Sequence, residues 1–287
     1  MAVYDRRYRG YDGPITPQKS RFTVLPRFAW AQVFKSRLFT AFFTMCFAWP
    51  VAAALWIYLH HNLKALTTMN LDITNLAPVN TWFFATFMAG QCFIFGGLMT
   101  LLIGPGLVSP DLANGALPLF LSRPLTRTGY AVGKMATLAV LISLVTWVPG
   151  LFLFSLQSWL AGWSWFAENL RIAVAIVAGA GIWIVTISLL ALATSAVARR
   201  KVVAQTFLLG VIIFGTVAGQ AINTMFDTKL GFAFALPELM HSVWEGLYQV
   251  DMDAQLTAPV AWVALFLICG ASILVLARKL KAFEVVK

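Results

Sequence analysis

Charged side chains are scarce in this sequence. Only 11% of its 287 residues are Asp, Glu, Lys or Arg, less than half of the roughly 25% that is usual in soluble domains. Hydrophobic residues make up 60% of the chain, and the mean hydropathy is +0.80. This composition excludes an ordinary soluble domain and predicts a membrane protein with several spans.

Residues that carry chemistry are also few. The chain has three cysteines and three histidines, and neither set has the spacing of a zinc, haem or redox motif. It has no paired acids and no Ser/His arrangement for catalysis. The stretch TGYAVGKM, beginning at Thr128, is one residue too short between its glycines for a phosphate-binding loop, and Met135 replaces the Ser or Thr that would hold magnesium. We therefore expect no enzyme activity, no cofactor and no nucleotide site in this chain.

Six apolar runs are each near or above the ~20 residues that a helix needs to cross the hydrocarbon core. They predict an all-α polytopic membrane protein. A cytoplasmic arm and interfacial helix (1–38) would precede the transmembrane domain (39–277), and a cytoplasmic tail (278–287) would follow it. The runs cover residues 39–60, 81–103, 131–156, 170–198, 202–226 and 259–277.

Ionisable and polar residues inside these runs restrict the function. No run contains Asp or Glu, or Lys or Arg away from its ends, whereas ion-coupled transporters need such groups. Transport would therefore draw its energy from elsewhere. The polar residues within the spans could line a path or form hydrogen bonds between helices, and we favour the second reading. They include Gln91, Thr146, Gln205, Gln220 and Asn223.

Basic residues are concentrated on one side of the predicted bundle. Only Lys64, Arg171 and Lys229 lie on the other side, which leaves 18 of the 21 Lys and Arg with the two termini and the segments after the second and fourth spans. The positive-inside rule therefore places both termini in the cytoplasm. We expect the membrane to be the cell inner (plasma) membrane. The net charge of +10 fits this topology and anionic lipid headgroups as partners, and gives little support for nucleic-acid binding.

Two segments outside the spans have amphipathic helical patterns. VLPRFAWAQVFKSR, beginning at Val24, mixes apolar and basic residues and predicts a helix on the inner leaflet. PELMHSVWEGLYQV, beginning at Pro237, places Leu239, Met240 and Val243 on one side. It predicts a helical segment within 230–250 that dips into or lies on the outer leaflet.

The stretch SPDLANGALPLFLSRPLTRTGYAVGKM combines large apolar residues with prolines and arginines. Ser109 is a suitable N-cap, Pro110 a suitable first helical residue, and Asp111 complements the helix dipole, so we expect a short helix to begin here. Gly115 should weaken it. The resulting hairpin (109–130) exposes apolar side chains that need a partner, either the membrane interface or another protein.

This stretch resembles the cytoplasmic signature of permeases of the ABC type-2 exporter class. The pattern is an acidic residue, a Gly-small-Leu step, a leucine-rich turn, then Arg-Pro, Arg and Gly-Lys leading into the third span. The six spans, the interfacial helix and the outer helical segment are also similar to that class. The matching residues are Asp111, Gly115 to Leu117, Leu119 to Leu121, Arg123, Pro124, Arg127, Gly133 and Lys134.

The resemblance implies an exporter subunit that works by alternating access. Two copies of a separate ABC ATPase would hold ATP and magnesium, and a second permease copy would complete a homodimer. In the fifth span, Gly215, Gly219, Gln220 and Asn223 are candidates for dimer or pathway contacts. The alternative is a non-transporting scaffold protein that recruits a cytoplasmic partner through the hairpin. The residues predicted to couple to the ATPase are Asp111, Gly115, Leu117, Leu119, Phe120, Leu121, Arg123 and Arg127.

The distribution of basic residues gives a topology test. In a variant without native cysteines, Ser164→Cys should react with a membrane-impermeant thiol reagent in intact cells, because residue 164 falls on the side poor in basic residues. Lys287→Cys should react only after permeabilisation. Labelling of Lys287→Cys in intact cells would contradict the predicted orientation.

Overall fold

The computed structural model describes residues 23–62, 78–116 and 126–280 of the chain. These residues are almost entirely helical and include no strand. Within them, six helical segments are long and apolar enough to cross a membrane, which confirms the predicted all-α, six-span architecture. We call them spans 1 to 6: Arg37–His61, Thr81–Ala113, Arg127–Ala161, Trp163–Val197, Lys201–Phe226 and Ala258–Lys279.

The first three spans consist of several helices each, whereas spans 4, 5 and 6 are single helices, α9, α10 and α12. Two helices, α1 (Val24–Val33) and α11 (Leu236–Tyr248), lie outside the spans. In chain order the remaining elements are α1 (Val24–Val33), α2 (Arg37–Met45), α3 (Ala48–His61), α4 (Thr81–Gly90), a π-helical stretch (Gln91–Gly96), α5 (Gly97–Ile103), α6 (Pro105–Ala113), α7 (Arg127–Val145), α8 (Trp147–Ala161), a 3₁₀ turn (Leu230–Phe234) and α11 (Leu236–Tyr248).

Spans 1, 2 and 3 contain prolines close to the breaks between their helices. Pro50, Pro105 and Pro149 have no backbone N–H, so each leaves the carbonyl four residues earlier without its helical donor. In a hydrocarbon environment, water does not replace that donor. Each of the three carbonyls must therefore obtain a hydrogen bond from another part of the protein.

Gln91 supplies two of these bonds. Its side-chain Nε2 donates to the Cys46 carbonyl at 3.0 Å and to the Val145 carbonyl at 2.5 Å. These are the two carbonyls that Pro50 and Pro149 leave without a helical donor. Because Gln91 is fully buried, this single amide joins spans 1, 2 and 3.

Gln205 supplies the third bond. Its Nε2 donates to the Leu101 carbonyl at 3.2 Å, which joins span 5 to span 2. Leu101 lies four residues before Pro105, so this is again a carbonyl freed by a proline. The prediction that Gln91 and Gln205 form hydrogen bonds between helices is confirmed.

Spans 2, 3 and 4 form the centre of the bundle. More than half of the most apolar part of each is buried, whereas less than a quarter is buried in spans 1, 5 and 6. The outer spans therefore leave large faces uncovered by the described part of the chain. Such faces meet lipid or another subunit.

Between spans 5 and 6 the chain returns toward the membrane. Its 3₁₀ turn lies directly on span 5, where Gly215 and Gly219 face the carbonyls of Phe234 and Gly231. A side chain at either span glycine would collide with these carbonyls. At 1.5 Å per residue, the contact at Gly215 lies about 16 Å from the C-terminal end of span 5.

Helix α11 follows this re-entrant turn. Leu239, Met240 and Val243 are buried, so the apolar side expected from the sequence faces the bundle. On span 4, the Arg171 guanidinium donates to the Leu247 and Gly246 carbonyls at 3.2 and 3.3 Å. A cation at these last carbonyls stabilises the C-terminal end of the helix.

The bonds from Gln91 predict a stability effect. Gln91→Met keeps the volume but leaves two buried carbonyls without a donor, at ~1–3 kcal/mol per group. The two groups together lose ~2–6 kcal/mol, so the thermal midpoint in detergent should fall by roughly 4–12 °C, at ~2 °C per kcal/mol for a chain of this size. Adding Pro149→Ala should recover part of the loss, because residue 149 then has an N–H for the Val145 carbonyl.

Ile94→Met is the control, because it introduces the same side chain on an exposed part of span 2, three residues from Gln91. It should leave the midpoint within about 2 °C of the wild type. Equal shifts for Gln91→Met and Ile94→Met would show that the carbonyl bonds contribute no specific stability.

Candidate functional site at the base of the hairpin

Helix α6 ends span 2 and contains the first residues of the predicted hairpin (109–130). It begins at Pro105, so the prediction of a helix beginning at Ser109 is wrong. Pro110 lies inside the helix, and the Ser109 hydroxyl donates to the Pro105 carbonyl at 2.7 Å instead of capping a helix start. Asp111 consequently lies near the C-terminal end of α6, where it does not complement the positive end of the helix dipole.

Two local features end α6 and begin span 3. Gly115 has φ +62°, a left-handed conformation that suits glycine just after a helix. At the other end, the Thr126 hydroxyl accepts a hydrogen bond from the Gly129 N–H at 3.0 Å, and Arg127 is the exposed first residue of the helix. The predicted coupling residues Leu117, Leu119, Phe120, Leu121 and Arg123 lie outside the described residues.

Asp111 connects the two ends of this segment. Its Oδ2 lies 2.7 Å from Lys134 Nζ and accepts a hydrogen bond from the Tyr130 hydroxyl at 2.6 Å. The Asp111 and Lys134 side chains are only 20% and 13% exposed, so solvent screens their attraction less than that of a surface pair. We call Asp111, Tyr130 and Lys134 the Asp111 clamp. It holds the end of span 2 against the beginning of span 3.

Ser195 of span 4 holds the first turn of α6. Its hydroxyl oxygen accepts from the Ser109 N–H at 2.9 Å and from the Val108 N–H at 3.2 Å. The same hydroxyl donates to the Pro105 carbonyl at 2.8 Å. One buried side chain therefore satisfies three backbone groups of α6 and fixes this helix to span 4.

Helix α1 is attached at the same end of the bundle. Trp30 Nε1 donates to the Thr137 carbonyl of span 3 at 3.1 Å. On the other side of α1, Phe28 is 74% exposed. This arrangement fits a helix that packs on the bundle and presents an apolar side chain to the membrane interface.

The sequence located part of this site. It singled out Asp111, Gly115 and Arg127, which the structure places at the two ends of the hairpin. It missed Tyr130 and Ser195, because nothing in their local sequence indicates contacts with α6. A tyrosine and a lysine four residues apart do share a helix face, so their common partner could have been sought among nearby acids.

The four residues of span 5 that were candidates for dimer or pathway contacts lie in two different environments. Gly215 and Gly219 are covered by the chain's own re-entrant turn, which leaves no space there for the backbone of a second copy. The Asn223 Oδ1 accepts from the Gly231 N–H at 2.7 Å and so also belongs to this contact. Gln220 alone among the four is exposed.

No protein-family model matches this chain, and comparison with curated proteins finds no match. Within residues 23–62, 78–116 and 126–280, no group of three or more His, Cys, Asp or Glu could hold a metal ion. What α6 and its neighbours provide is an attachment: one helix at the beginning of the predicted hairpin, bonded to spans 3 and 4.

The Asp111 clamp predicts a measurable coupling. Asp111→Asn and Lys134→Met should each lower the free energy of unfolding by about 1–3 kcal/mol, because each leaves a partly buried partner without its counter-charge. The double variant should lose less than the sum, with a coupling of about 1 kcal/mol or more. Denaturant unfolding in detergent would measure all three values.

Arg127→Met removes a basic residue from the exposed start of the same span and serves as the control. It should change stability by less than about 0.5 kcal/mol. Strict additivity of the two clamp substitutions would show that Asp111 and Lys134 do not stabilise one another.

Proposed function

We propose that this chain is the permease subunit of an ATP-driven exporter of the ABC type-2 class, with separate ATPase subunits that bind its hairpin. The observation that carries the proposal is the attachment of α6. At the beginning of the predicted hairpin, this helix is bonded to span 3 through Asp111 and to span 4 through Ser195. Just before α6, the Leu101 carbonyl is bonded to span 5 through Gln205.

Such attachments suit the transmission of force. When two ATPases close around ATP, the hairpins would move with them, and a flexible base would absorb that movement. Here the Asp111 clamp joins the ends of spans 2 and 3, and Ser195 adds span 4. A displacement of the hairpin would therefore move these spans as one body, as rigid-body switching requires.

The composition of the spans supports an external energy source. In the described parts of the chain, acidic and basic side chains of the spans lie near span ends: Asp111 and Lys134 at one end of the bundle, Glu168 and Arg171 at the other. A proton or ion pathway through the membrane needs such groups at depth. ATP hydrolysis in a partner chain meets the energy requirement without them.

Span 5 supports a second permease copy. Most of its surface is exposed, and the face that includes Gln220 carries residues at alternating steps of four and three, the spacing of a helix-pairing seam. The Gln220 amide on this face has no hydrogen-bond partner in the described part of the chain, and an amide in hydrocarbon needs one. The exposed residues on this face are Thr206, Gly210, Ile213, Val217, Gln220 and Thr224.

The seam for a dimer therefore lies beside Gln220 and not at Gly215 and Gly219, whose face is already covered. The same stripe could border a polar path between two copies. In this proposal the basic ends of the spans and both termini face the cytoplasm, and the membrane is the cell inner (plasma) membrane.

Co-purification tests the proposal. The tagged chain is purified in mild detergent from its native cells, and an ABC ATPase is identified and quantified per permease chain. Phe120→Ala should weaken ATPase retention by about 30-fold, because a large apolar side chain at an interface centre contributes roughly 2 kcal/mol. ATP hydrolysis in the purified sample should fall in parallel.

Phe152→Ala is the matched control, since Phe152 is a lipid-facing residue of span 3 with 62% exposure. It should retain the ATPase like the wild type. The proposal fails if no ATP-hydrolysing partner purifies with the wild-type chain, or if both Phe→Ala variants retain it equally. A partner that depends on Phe120 but does not hydrolyse ATP would favour the scaffold alternative.

A further inference from the structure

A cavity of about 550 Å³ opens at the basic end of the bundle, next to the Asp111 clamp. Its walls come from α1, the first turn of span 1, the end of span 2, and the beginnings of spans 3 and 5. This volume falls within the range of ~300–1,000 Å³ that is usual for small-molecule sites. We call it the basic-face cavity.

The inner wall of the basic-face cavity is apolar. Leu38 and Phe39 of span 1 lie on one side, and Leu102, Ile103 and Leu107 of span 2 lie on another. Leu38 is 72% exposed, so the described residues leave it largely uncovered. At the depth of the first helical turn of span 1, a hydrocarbon chain would bury this surface favourably.

The residues that line the cavity carry a net positive charge. Lys134 and Asp111 both line it and neutralise one another through their ion pair. Lys201 also lines the cavity and forms no ion pair with any residue in the described ranges. Its methylene stem lies over Gly106, where an added Cβ would be 3.4 Å from the lysine Cδ and Cε. The absence of a side chain at residue 106 thus lets Lys201 lie across α6.

We propose that the basic-face cavity binds one phospholipid with an anionic headgroup, drawn from the leaflet at this end of the bundle. Its phosphate pairs with Lys201, and its acyl chain lies along Leu38, Phe39 and Leu102. An apolar wall that shares one cavity with a single uncompensated cation suits an amphiphile and does not suit a free anion.

The bound lipid has a structural consequence. It fills the space between α1 and α6, so it braces the interfacial helix against the helix that carries the hairpin. This site is independent of the proposed exporter function, because its residues and its occupant require no ATPase.

Thermal unfolding of the purified chain in detergent tests the site without any partner. Titration with phosphatidylglycerol should raise the midpoint in a saturable way, as expected for a ligand of the folded state. Lys201→Gln should raise the half-saturating lipid concentration by about fivefold, the effect of one cation near a headgroup. Lys201→Arg keeps the charge and should behave like the wild type.

Two further variants separate the cavity from general attraction to the basic end. Lys279→Gln removes an exposed lysine from span 6 at the basic end of the bundle. It should leave the half-saturating lipid concentration unchanged. Ala29→Trp fills the cavity from α1 and should weaken the response by about tenfold or more. If Ala29→Trp does not fold, the comparison of Lys201→Gln with Lys201→Arg and Lys279→Gln still tests whether Lys201 binds the headgroup.

Ligand controls identify the source of the phosphate. Phosphatidylcholine and glycerol phosphate should each give less than a tenth of the stabilisation seen with phosphatidylglycerol at equal concentration. Equal stabilisation by phosphatidylcholine would mean non-specific lipid contact only, and stabilisation by glycerol phosphate would mean a free-anion site. Equal effects of Lys201→Gln and Lys279→Gln would also overturn the proposal.

Discussion

The structure depends on one constraint: a carbonyl freed by proline inside a membrane must find another donor. Pro50, Pro105 and Pro149 free three such carbonyls, and the side chains of Gln91 and Gln205 bond to all of them. Each bond runs between spans, so the sites that weaken individual helices are also the sites that join them. The breaks in the spans and the packing of the bundle therefore have a common cause.

Much of the fold follows from the sequence because it depends on local properties. Apolar length determines the six spans, and the amphipathic spacing of Leu239, Met240 and Val243 determines which side of α11 is buried. The sequence predicts the wrong start for α6, and the reason is physical. Ser109 and Pro110 have the preferences of a helix start, but the hydroxyl of Ser195, more than eighty residues away, bonds the backbone there and keeps the helix continuous.

The candidate site was predictable only in part. Glycine at residue 115 indicates a backbone reversal, and Asp111 is conspicuous as an acid in an apolar chain. The partners of Asp111 and the contact under Gly215 and Gly219 are set by packing between distant segments. A small-residue pair is compatible with a second copy or with the chain's own backbone, and spacing alone does not distinguish these. The structure shows that the chain's own re-entrant turn occupies this position.

The two hydrogen bonds of Gln91 also bear on how the protein is made. During synthesis, spans 1 and 2 emerge first, and the amide of Gln91 then has only the Cys46 carbonyl as a partner. The Val145 carbonyl becomes accessible only after about half of span 3 has been translated. Until then, the Gln91 Nε2 has a partner for only one of its two hydrogen atoms, and an unpaired donor disfavours release of span 2 into the hydrocarbon. Spans 1 to 3 are thus expected to leave that machinery as one unit, before spans 4 to 6 are added around them.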